Sequence, residues 1–581
     1  MHNRTPVYPN NCTRWRFATR LRQPSVTRVA FHRTASLKFA PMPYSGREPI
    51  PMSSDSFLPP GARNQTDVYA VHGADPEVLA YAMAKYSRSA LSMRESLKEI
   101  SAQRAEQFLN TFYFQYGHRS IADLAHIAFA VERLSLLAAI VLVDEQRWDG
   151  QERSTRYQNF LKSGWYFPDF GKHSGPDPDP ALLYAGTIEC LFATYQKTTA
   201  AVHDALRRHV ACPESLKPEA YERTLKARAF DVARYLLPLA TNTSLGQIVN
   251  ARTLETQVSR LLSHPFAEIR DLGIKLRDAA AGPAWNVNSQ SAAAFLQKLD
   301  PMAAEEAANL FNREVRTAPT LVKYAEPNPY LVQSRAELEQ AATEMMKGVA
   351  ISPAPLVDLV ESTETLEVEI AATLLYSASH YPYRQIRDLV AELPSARISE
   401  IIELGLRHRG RHDEALRAFH AGAALRFDIL MDIGGFRDMH RHRRCVQIIQ
   451  AFTSVHGCEI PDSADLGPDF NPLAEAGILS EFTSTLDAAL AASKQIAASQ
   501  APEAPLSALY LLPLATRIRS LFKMDFAEAQ YISELRSGPA GHFSYRRVAW
   551  EMYKAVQRQH PSLAKYFRVT DFTQPIDLLQ R

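Results

Sequence analysis

Apolar residues recur at helical spacing along most of the chain after about Gln65. The first helix is predicted to begin at Pro76, because Asp75 before it is a favourable N-cap residue and proline fits the first helical position. Glu77 adds a negative charge at the positive end of the helix dipole. The start of the folded part is therefore predicted to be helical.

The same periodicity predicts further helices downstream. It continues from Leu91 to Phe112, and after a turn at Gly117-His118 a long apolar run from Ile121 to Val143 extends it. Proline and glycine are frequent from Trp165 to Pro180, which predicts a loop. More helices are expected after this loop, to about Ala281.

One heptad occurs twice in the chain. Tyr235–Thr241 recurs letter for letter as Tyr510–Thr516. A repeat of this length predicts a duplicated domain rather than a solenoid. We therefore divide the folded chain into a first copy, residues 66–325, and a second copy, residues 326–581, with the boundary near Tyr324 to Pro329.

Composition excludes several classes of protein. The 581 residues are 46% hydrophobic and 22% charged, and the formal net charge is +2. No global charge attracts nucleic acid or a membrane surface, and no apolar run reaches the roughly 18 residues that span a bilayer. Five cysteines without CxxC spacing indicate neither a disulfide framework nor a zinc site. These features are typical of a cytoplasmic protein.

Residues 1–65 differ from the remainder. There is no Asp or Glu from Met1 to Arg47, while arginines are scattered among Ser, Thr and Pro. This is typical of an organellar targeting segment. Alternatively, a start assigned too early would place the true start at Met42 or Met52. Under either interpretation the segment is predicted to be disordered.

Candidate chemistry begins with Asp438–Arg444, which carries five basic or imidazole groups in seven residues. Such a cluster favours the binding of an anion. It is also typical of a solvated basic helix face or a nucleic-acid patch. A second stretch, Gln151–Tyr157, has the composition expected for the remainder of the same site.

Four motifs of the first copy resemble the flavin-dependent thymidylate synthases in order and approximate spacing. They are Gly117–Ser120, Phe129–Glu132, Glu152–Tyr157 and Ala233–Pro238. That family carries the signature R-H-R-x7-S-x-R. The resemblance implies an α+β fold made of two tandem copies, each helix-rich around a small, mostly antiparallel sheet.

Neither copy has the whole signature. In the first copy Asp144–Gln146 stands where the basic triplet belongs. In the second copy Arg441–Arg443 is present, but Ala451 and Thr453 replace the serine and the second arginine. Other losses are complementary as well, in the pairs Arg234 and Leu509, Asn250 and Asp525, Arg252 and Ala527, and Leu261 and Arg536.

These losses fit the architecture that the resemblance implies. Family members are homotetramers whose substrate site lies between subunits, one giving the Ser-x-Arg side and another the Arg-His-Arg side. Fusion holds the two copies together at an effective concentration on the order of mM. Each copy can then lose one of the two sides of the substrate site, because the other copy supplies it. We predict one composite site between the copies and a dimer of the fused chain.

The resemblance also implies roles for individual residues. It implies FAD as cofactor, NADPH and methylenetetrahydrofolate as co-substrates, and conversion of dUMP to dTMP. The catalytic candidates are His118, Arg441 and Arg536. The substrate-binding candidates are Glu152, Ser154, Arg156, Arg234, Arg441 and Arg536. The FAD-binding candidates are Ser120, Glu152, Asn250, Arg252, His442 and Arg443. Arginine suits the phosphate because its planar fork makes paired, charge-assisted hydrogen bonds, and in such enzymes the cofactor carries the hard step.

Other interpretations remain open. Glu152 and Arg156 have the spacing of an ordinary helix pair, His118 after a glycine is typical of a turn, and Arg234 and Arg536 have the features of surface ion pairs. At the level of function, a different flavin-dependent pyrimidine-modifying enzyme and a non-catalytic nucleotide-binding descendant are the two alternatives.

Overall fold

A computed structural model describes most of the chain after residue 70. The described residues are 71, 73–85, 97, 119–172, 178–287, 289–311, 314–323, 325–360, 366–408, 416–419, 425–462, 466, 470–564 and 567–580. The segment 1–65, His118 and nearly all of the helix predicted over 91–112 lie outside these residues. Ser120 is placed in the backbone, but its side chain is not described.

Both copies are helix-rich α+β domains. In the first copy the helices are α1 (Pro76–Lys85), α2 (Leu136–Leu142), α3 (Pro180–His209), α4 (Pro218–Ala233), α5 (Ala251–Leu262), α6 (Ala267–Ala281), α7 (Ser289–Leu296) and α8 (Pro301–Phe311), and the strands are β1 (His126–Ser135), β2 (Asp149–Glu152) and β3 (Asn242–Asn250). In the second copy the strands are β4 (Val357–Leu359), β5 (Leu425–Asp432), β6 (Val446–Ile449) and β7 (Arg517–Met524).

The second copy contributes the remaining helices. They are α9 (Pro329–Met345), α10 (Leu366–Ser377), α11 (Tyr383–Ala391), α12 (Ser395–Leu404), α13 (Ile433–Met439), α14 (Pro472–Glu475), α15 (Leu479–Ala497), α16 (Ala504–Leu509), α17 (Phe526–Ser537), α18 (Phe543–Gln559) and α19 (Pro561–Ala564). Short 3₁₀ helices lie at Arg119–Leu124, Arg234–Leu236 and Arg417–Phe419.

Each copy has one small antiparallel sheet. The strand order is β1-β3-β2 in the first copy and β4-β5-β7-β6 in the second. The long strand pairs correspond, with Ile127 opposite Val249 in one sheet and Leu425 opposite Met524 in the other. The predicted α+β fold in two tandem copies is therefore confirmed.

The apolar run from Ile121 to Val143 was predicted as helix, and this is wrong for most of its length. The run contains a short 3₁₀ helix, then β1, and only then the short helix α2. Ile127 and Val131 are buried while Ala128 between them is exposed, which is the alternation of a strand. Pairing with β3, distant in sequence, overrides the local periodicity.

Two predictions about the first copy are confirmed. The first helix begins at Pro76, and the backbone N–H of Leu79 donates to the Asp75 carbonyl at 2.9 Å. The described part of the predicted loop, 165–172 and 178–179, contains neither helix nor strand.

The two identical heptads pair with each other. Pro238 lies opposite Pro513 in an antiparallel bridge, and four backbone hydrogen bonds flank it in two symmetry-related pairs. The bonds run from Leu239 N to Leu512 O (2.9 Å), from Leu514 N to Leu237 O (2.9 Å), from Ala240 N to Tyr510 O (2.9 Å) and from Ala515 N to Tyr235 O (3.2 Å). An internal two-fold axis therefore passes between the prolines, and each copy packs on the other as the subunits of a symmetric dimer do.

The packing across this axis continues into helices and core. Helix α3 packs on its counterpart α15, where the hydroxyls of Thr194 and Thr485 lie 3.1 Å apart. A single apolar core includes residues of both copies. Among the described residues, no helix is long and apolar enough to cross a bilayer.

Candidate functional site

The end of strand β2 in the first copy faces the end of helix α13 in the second copy. Arg437 donates a hydrogen bond to Glu152, and Nη1 of Arg234 donates to Oδ2 of Asp438 at 3.2 Å. Glu152 ends a strand rather than lying on a helix, so its interpretation as a helical partner of Arg156 is wrong. The first bond reaches the stretch Gln151–Tyr157 from the residue before Asp438, and the second reaches Asp438 from Arg234. The two predicted stretches therefore lie near each other, and Arg156 is close enough to help lower the pKa of the Asp438 carboxyl.

Helix α13 presents these groups because both of its ends are defined locally. Asp432 caps the first turn, its carboxylate accepting from the backbone N–H of Gly435 at 2.6 Å. A Cβ at Gly434 would lie 3.4 Å from both Nε and Nη2 of Arg234. Glycine therefore lets the Arg234 guanidinium approach the helix backbone.

Arg156 uses almost all of its donors, two of them in its own copy and two across to the second copy. Its Nε and Nη2 hold the Asp231 carboxylate at 2.8 and 3.3 Å. Nη1 donates to the Tyr545 hydroxyl at 2.7 Å, and Nη2 also donates to the Ala540 carbonyl at 3.1 Å. Four of the five guanidinium N–H groups are thus engaged. Ser154 lies beside it, its hydroxyl accepting from the Arg156 backbone N–H at 3.2 Å.

Arg234 is 1% exposed, which rules out a surface ion pair. Apart from the bond to Asp438, its Nε and Nη2 atoms are buried without a hydrogen-bond partner among the described residues. Buried guanidinium donors without partners are costly. These donors are therefore suited to an anionic ligand.

Asp438 lies among four arginines from both copies. Burial would raise the pKa of its carboxyl, but Arg234, Arg156, Arg441 and Arg536 together lower it to about 2. The carboxylate is therefore ionised throughout the physiological range. Because these four arginines all act on one carboxylate, they mark a single cluster of positive charge.

The whole cluster has an excess of cations. It contains five guanidinium groups and four carboxylates. The guanidinium groups belong to Arg156, Arg234, Arg437, Arg441 and Arg536, and the carboxylates to Glu152, Asp231, Asp432 and Asp438. The excess of positive charge favours a phosphate anion.

The Arg-His-Arg segment lies at the edge of this cluster. Arg441 is exposed. His442 is buried, and its Nε2 accepts from Nε of Arg536 at 2.8 Å, so the ring proton is on Nδ1, facing Glu528 at 3.6 Å. Burial lowers the pKa of His442, which keeps the ring neutral. Arg536 also lies 5.4 Å from the centre of the Tyr545 ring.

Arg443 points the other way, towards the first copy. Its guanidinium carbon lies 5.0 Å from the centre of the Trp148 ring, and the Trp148 indole donates to Gln247 at 2.8 Å. Burial lowers the pKa of Arg443 to about 10, so it remains a cation at neutral pH.

A second basic group adjoins Trp148. Arg147 and Arg252 share the Asp123 carboxylate at 3.3 and 3.1 Å. Asn250 caps helix α5 beside them, its side chain accepting from the Thr253 N–H at 2.8 Å. Two partly exposed arginines that share one carboxylate keep a positive charge and open donors. This donor set fits the diphosphate of a dinucleotide cofactor such as FAD.

A family model accounts for both copies. The model described as thymidylate synthase complementing protein matches residues 70–282 and 358–562, more than half of the chain. The chain belongs to the thymidylate synthase complementing protein family. Relatives match along nearly the whole length: a UPF0159 protein of Chlamydia pneumoniae is 27% identical over 550 residues, 88% of this chain and 93% of the relative. A UPF0159 protein of Thermoplasma acidophilum is 23% identical over 521 residues, 84% and 94% of the two chains.

Shorter members of the family match part of the chain. A flavin-dependent thymidylate synthase of Clostridium tetani is 24% identical over 180 residues, 31% of this chain and 67% of the relative. Among solved structures, the flavin-dependent thymidylate synthase ThyX of Helicobacter pylori with FAD and dUMP is 17% identical, covers 36% of this chain and 89% of its own, and has a TM-score of 0.24. A TM-score this low supports no conclusion about the site.

Sequence reasoning missed several residues of the arginine cluster and of the second basic group. They are Asp123, Arg147, Trp148, Asp231, Arg437 and Tyr545. Arg437 adjoins the recognised segment Asp438–Arg444, so its position was a usable signal. Tyr545 lies far from any motif, and only the contact between the copies brings it to Arg156.

Proposed function

We propose that the chain catalyses FAD-dependent methylation of dUMP to dTMP, with methylenetetrahydrofolate as the one-carbon donor and NADPH as the reductant. The observation that carries this proposal is the convergence of Arg156 and Arg234 of the first copy with Arg441 and Arg536 of the second around Asp438. Family membership supports the same reaction class.

The nucleotide phosphate is proposed to bind in the arginine cluster. The open donors are the buried Nε and Nη2 of Arg234, the exposed Arg441 and the free Nη groups of Arg536. Arg156 contributes its last N–H and keeps the Ser154 side of the site in place. Each charge-assisted bond to the phosphate contributes roughly 1.5–3 kcal/mol.

The pyrimidine and the flavin are proposed to lie next to this phosphate site. Arg441 and Arg536 are cations that can polarise the pyrimidine carbonyls, and Glu152 accepts hydrogen bonds only. His442, Arg443, Asn250 and Arg252 would hold FAD, together with Arg147 and Ser120, and His118 is proposed to act close by. When bound, reduced FAD supplies the hydride for the one-carbon unit.

We extend the proposal to assembly and location. The exposed aromatic side chains of Tyr157 (57%) and Tyr531 (54%) lie beside Arg156 and His442. Covering them in a dimer of the fused chain, located in the cytoplasm, would exclude water from the site. The mass in solution, measured by light scattering, tests the dimer: a monomer at micromolar concentration would contradict it.

The reaction is tested in two steps. The purified chain should show a flavin absorption band as isolated or after addition of FAD, and a chain that binds no flavin contradicts the proposal. With methylenetetrahydrofolate and NADPH supplied, tritium should be released from [5-³H]dUMP together with formation of dTMP. Tritium release without dTMP would instead favour another flavin-dependent modification of the pyrimidine. Flavin binding without any nucleotide binding would contradict both.

A further inference from the structure

Asp144 stands in the first copy at the position that Arg441 occupies in the second, and it contacts the second copy directly. Its Oδ1 accepts from Nη1 of Arg417 at 2.5 Å, and its backbone carbonyl accepts from Nη2 of the same arginine at 3.1 Å. Both side chains are about a quarter exposed, 25% and 27%. This is a two-point, partly buried contact between the copies.

The contact is linked to the Arg-His-Arg segment by further hydrogen bonds. Arg417 Nη1 donates to the Gln447 carbonyl at 3.1 Å. The side chain of Gln447 lies 2.8 Å from Nδ1 of His440 and donates to the His442 carbonyl at 2.6 Å. His440 Nε2 in turn lies 3.5 Å from Oδ1 of Asp144. The chain of contacts therefore runs from Asp144 to both sides of Arg441.

We propose that Asp144 is a positioning residue: through Arg417, His440 and Gln447 it holds the segment His440–Arg443 of the second copy in the conformation that the composite site uses. The use of this conformation for nucleotide and flavin rests on the proposed function, whereas the anchoring itself does not. The acidic replacement in the first copy is then a gain for the composite site.

Charge explains why an acid is needed at this position. An arginine at position 144, as the family signature has it, would face Arg417 and Arg443 with like charge. Burial alone would raise the pKa of Asp144, but Arg417, together with His440 and Arg260, outweighs burial and lowers the pKa well below its usual range. Burial also lowers the pKa of His440 to about 4, so at neutral pH Arg417 is the cationic partner of Asp144.

Other charged groups around the contact do not replace Asp144. Glu145 is held within the first copy by Arg260, which donates at 2.7 and 3.0 Å and also contacts the Val141 carbonyl. Arg443 is turned towards Trp148. The anchoring between the copies at this place therefore depends on the Asp144–Arg417 pair.

The anchoring is tested in the full chain without ligands by hydrogen exchange of the amides of His440 and His442. These amides are protected by bonds to the carbonyls of Phe436 and Met439 at 2.7 and 3.1 Å. Asp144→Asn should accelerate their exchange by about tenfold to a hundredfold, the effect of losing one charge-assisted bond. Asp144→Glu, which keeps the carboxylate, should recover part of the protection.

A double-mutant cycle and a matched control complete the test. Arg417→Gln should have the effect of Asp144→Asn, and the double variant should be no worse than either single one. Asp358→Asn is the control, because Asp358 forms a similar pair with Arg384 elsewhere in the second copy at 2.8 Å. It should leave exchange at His440 and His442 unchanged.

The outcomes separate the anchoring from the proposed function. Unchanged exchange in Asp144→Asn, or additive effects in the cycle, would overturn the anchoring whatever the chain catalyses. Accelerated exchange supports the anchoring even in a chain that binds no nucleotide. If the proposed function also holds, Asp144→Asn should shift the reduction potential of bound flavin and weaken dUMP binding, while Asp358→Asn does neither. An unchanged potential and affinity in Asp144→Asn would show that nucleotide and flavin binding do not use the conformation of the segment His440–Arg443.

Discussion

Two regions related by the internal two-fold axis have diverged in opposite directions. Equivalent backbone bonds relate them: Leu136 N donates to the Thr241 carbonyl in the first copy, and Ile433 N donates to the Thr516 carbonyl in the second, both at 2.9 Å. One region is the arginine cluster. The other has almost none of its charges.

Alignment on these bonds pairs four charged residues of the cluster with uncharged counterparts, whereas Arg441 aligns with Asp144. The pairs are Arg156 with Thr453, Arg234 with Leu509, Asp438 with Val141 and Arg536 with Leu261. Leu261 is completely buried, and Val141 and Leu509 pack against the shared core. A buried charged cluster contributes less to stability than well-packed apolar residues of similar volume. The comparison teaches that two fused copies can keep the cluster on one side only, while equivalent residues of the other region join the core.

The largest effect is expected at Arg156. Arg156→Ala removes the guanidinium that pairs with the Asp231 carboxylate, which is 1% exposed. We expect loss of dUMP binding and a decrease of the free energy of unfolding on the order of 3–5 kcal/mol. Denaturant unfolding and calorimetric titration with dUMP measure the two quantities.

Thr453→Ala is the matched control for Arg156, because it changes the equivalent position in the other region. It should change both quantities little. Arg156→Lys keeps a charge beside Asp231 and should fold well enough for titration if the alanine variant does not. Equal losses at positions 156 and 453 would contradict the asymmetry of the two regions.

Arg441 should affect binding without affecting stability. It is exposed, so Arg441→Ala should leave the unfolding transition unchanged and weaken dUMP binding by about tenfold to a hundredfold. Arg444→Ala is the control, because Arg444 is also exposed and pairs only loosely with Asp525, at 3.4 Å. Similar losses of dUMP affinity in both variants would mean that the segment acts as a general basic surface rather than as a specific site.

Asp438 should have a smaller effect on stability than Arg156, and the size of this effect depends on pH. The pKa of its carboxyl is lowered from 3.8 to about 2 in the folded chain. This group therefore stabilises the fold above about pH 4, and its contribution is lost as the pH falls towards 2. Asp438→Asn should cost about 2 kcal/mol at pH 7 and remove that part of the acid sensitivity.

Asp438→Asn also tests whether the net charge of the cluster determines phosphate binding. Removal of one carboxylate from the cluster should strengthen binding of inorganic phosphate at pH 7, as measured by its inhibition of dUMP binding. Weaker phosphate binding would mean that Asp438 orients the arginines rather than opposing their charge. Stability that is unaffected by Asp438→Asn would show that the four arginines do not act on this carboxylate.

Much of the fold was predictable, because its signals are local. Asp75 and Pro76 define the start of a helix by chemistry that depends only on neighbours in sequence. The identity of the two heptads predicted the duplication. That the heptads pair with each other, and that Ile127 and Val131 lie in a strand, depends on contacts between segments distant in sequence.

The site divides in the same way. The basic segment and Arg234 were recognisable from residue type and spacing, and the complementary losses predicted that the copies share one site. The engagement of Arg156 by Asp231 and Tyr545 was not predictable, because it follows from packing across the axis. Asp144 was interpreted as a lost function, since the sequence does not show that Arg417 faces it.

The central claim is that one chain forms the composite site from its own two copies. Chains with Arg156→Ala and chains with Arg441→Ala are unfolded together, refolded as a mixture and titrated with dUMP. If the site forms within one chain, every chain carries one defect and the mixture binds no better than either variant alone. Binding restored to about a quarter or more of the wild-type capacity would mean that the two sides meet between chains, and would contradict the account.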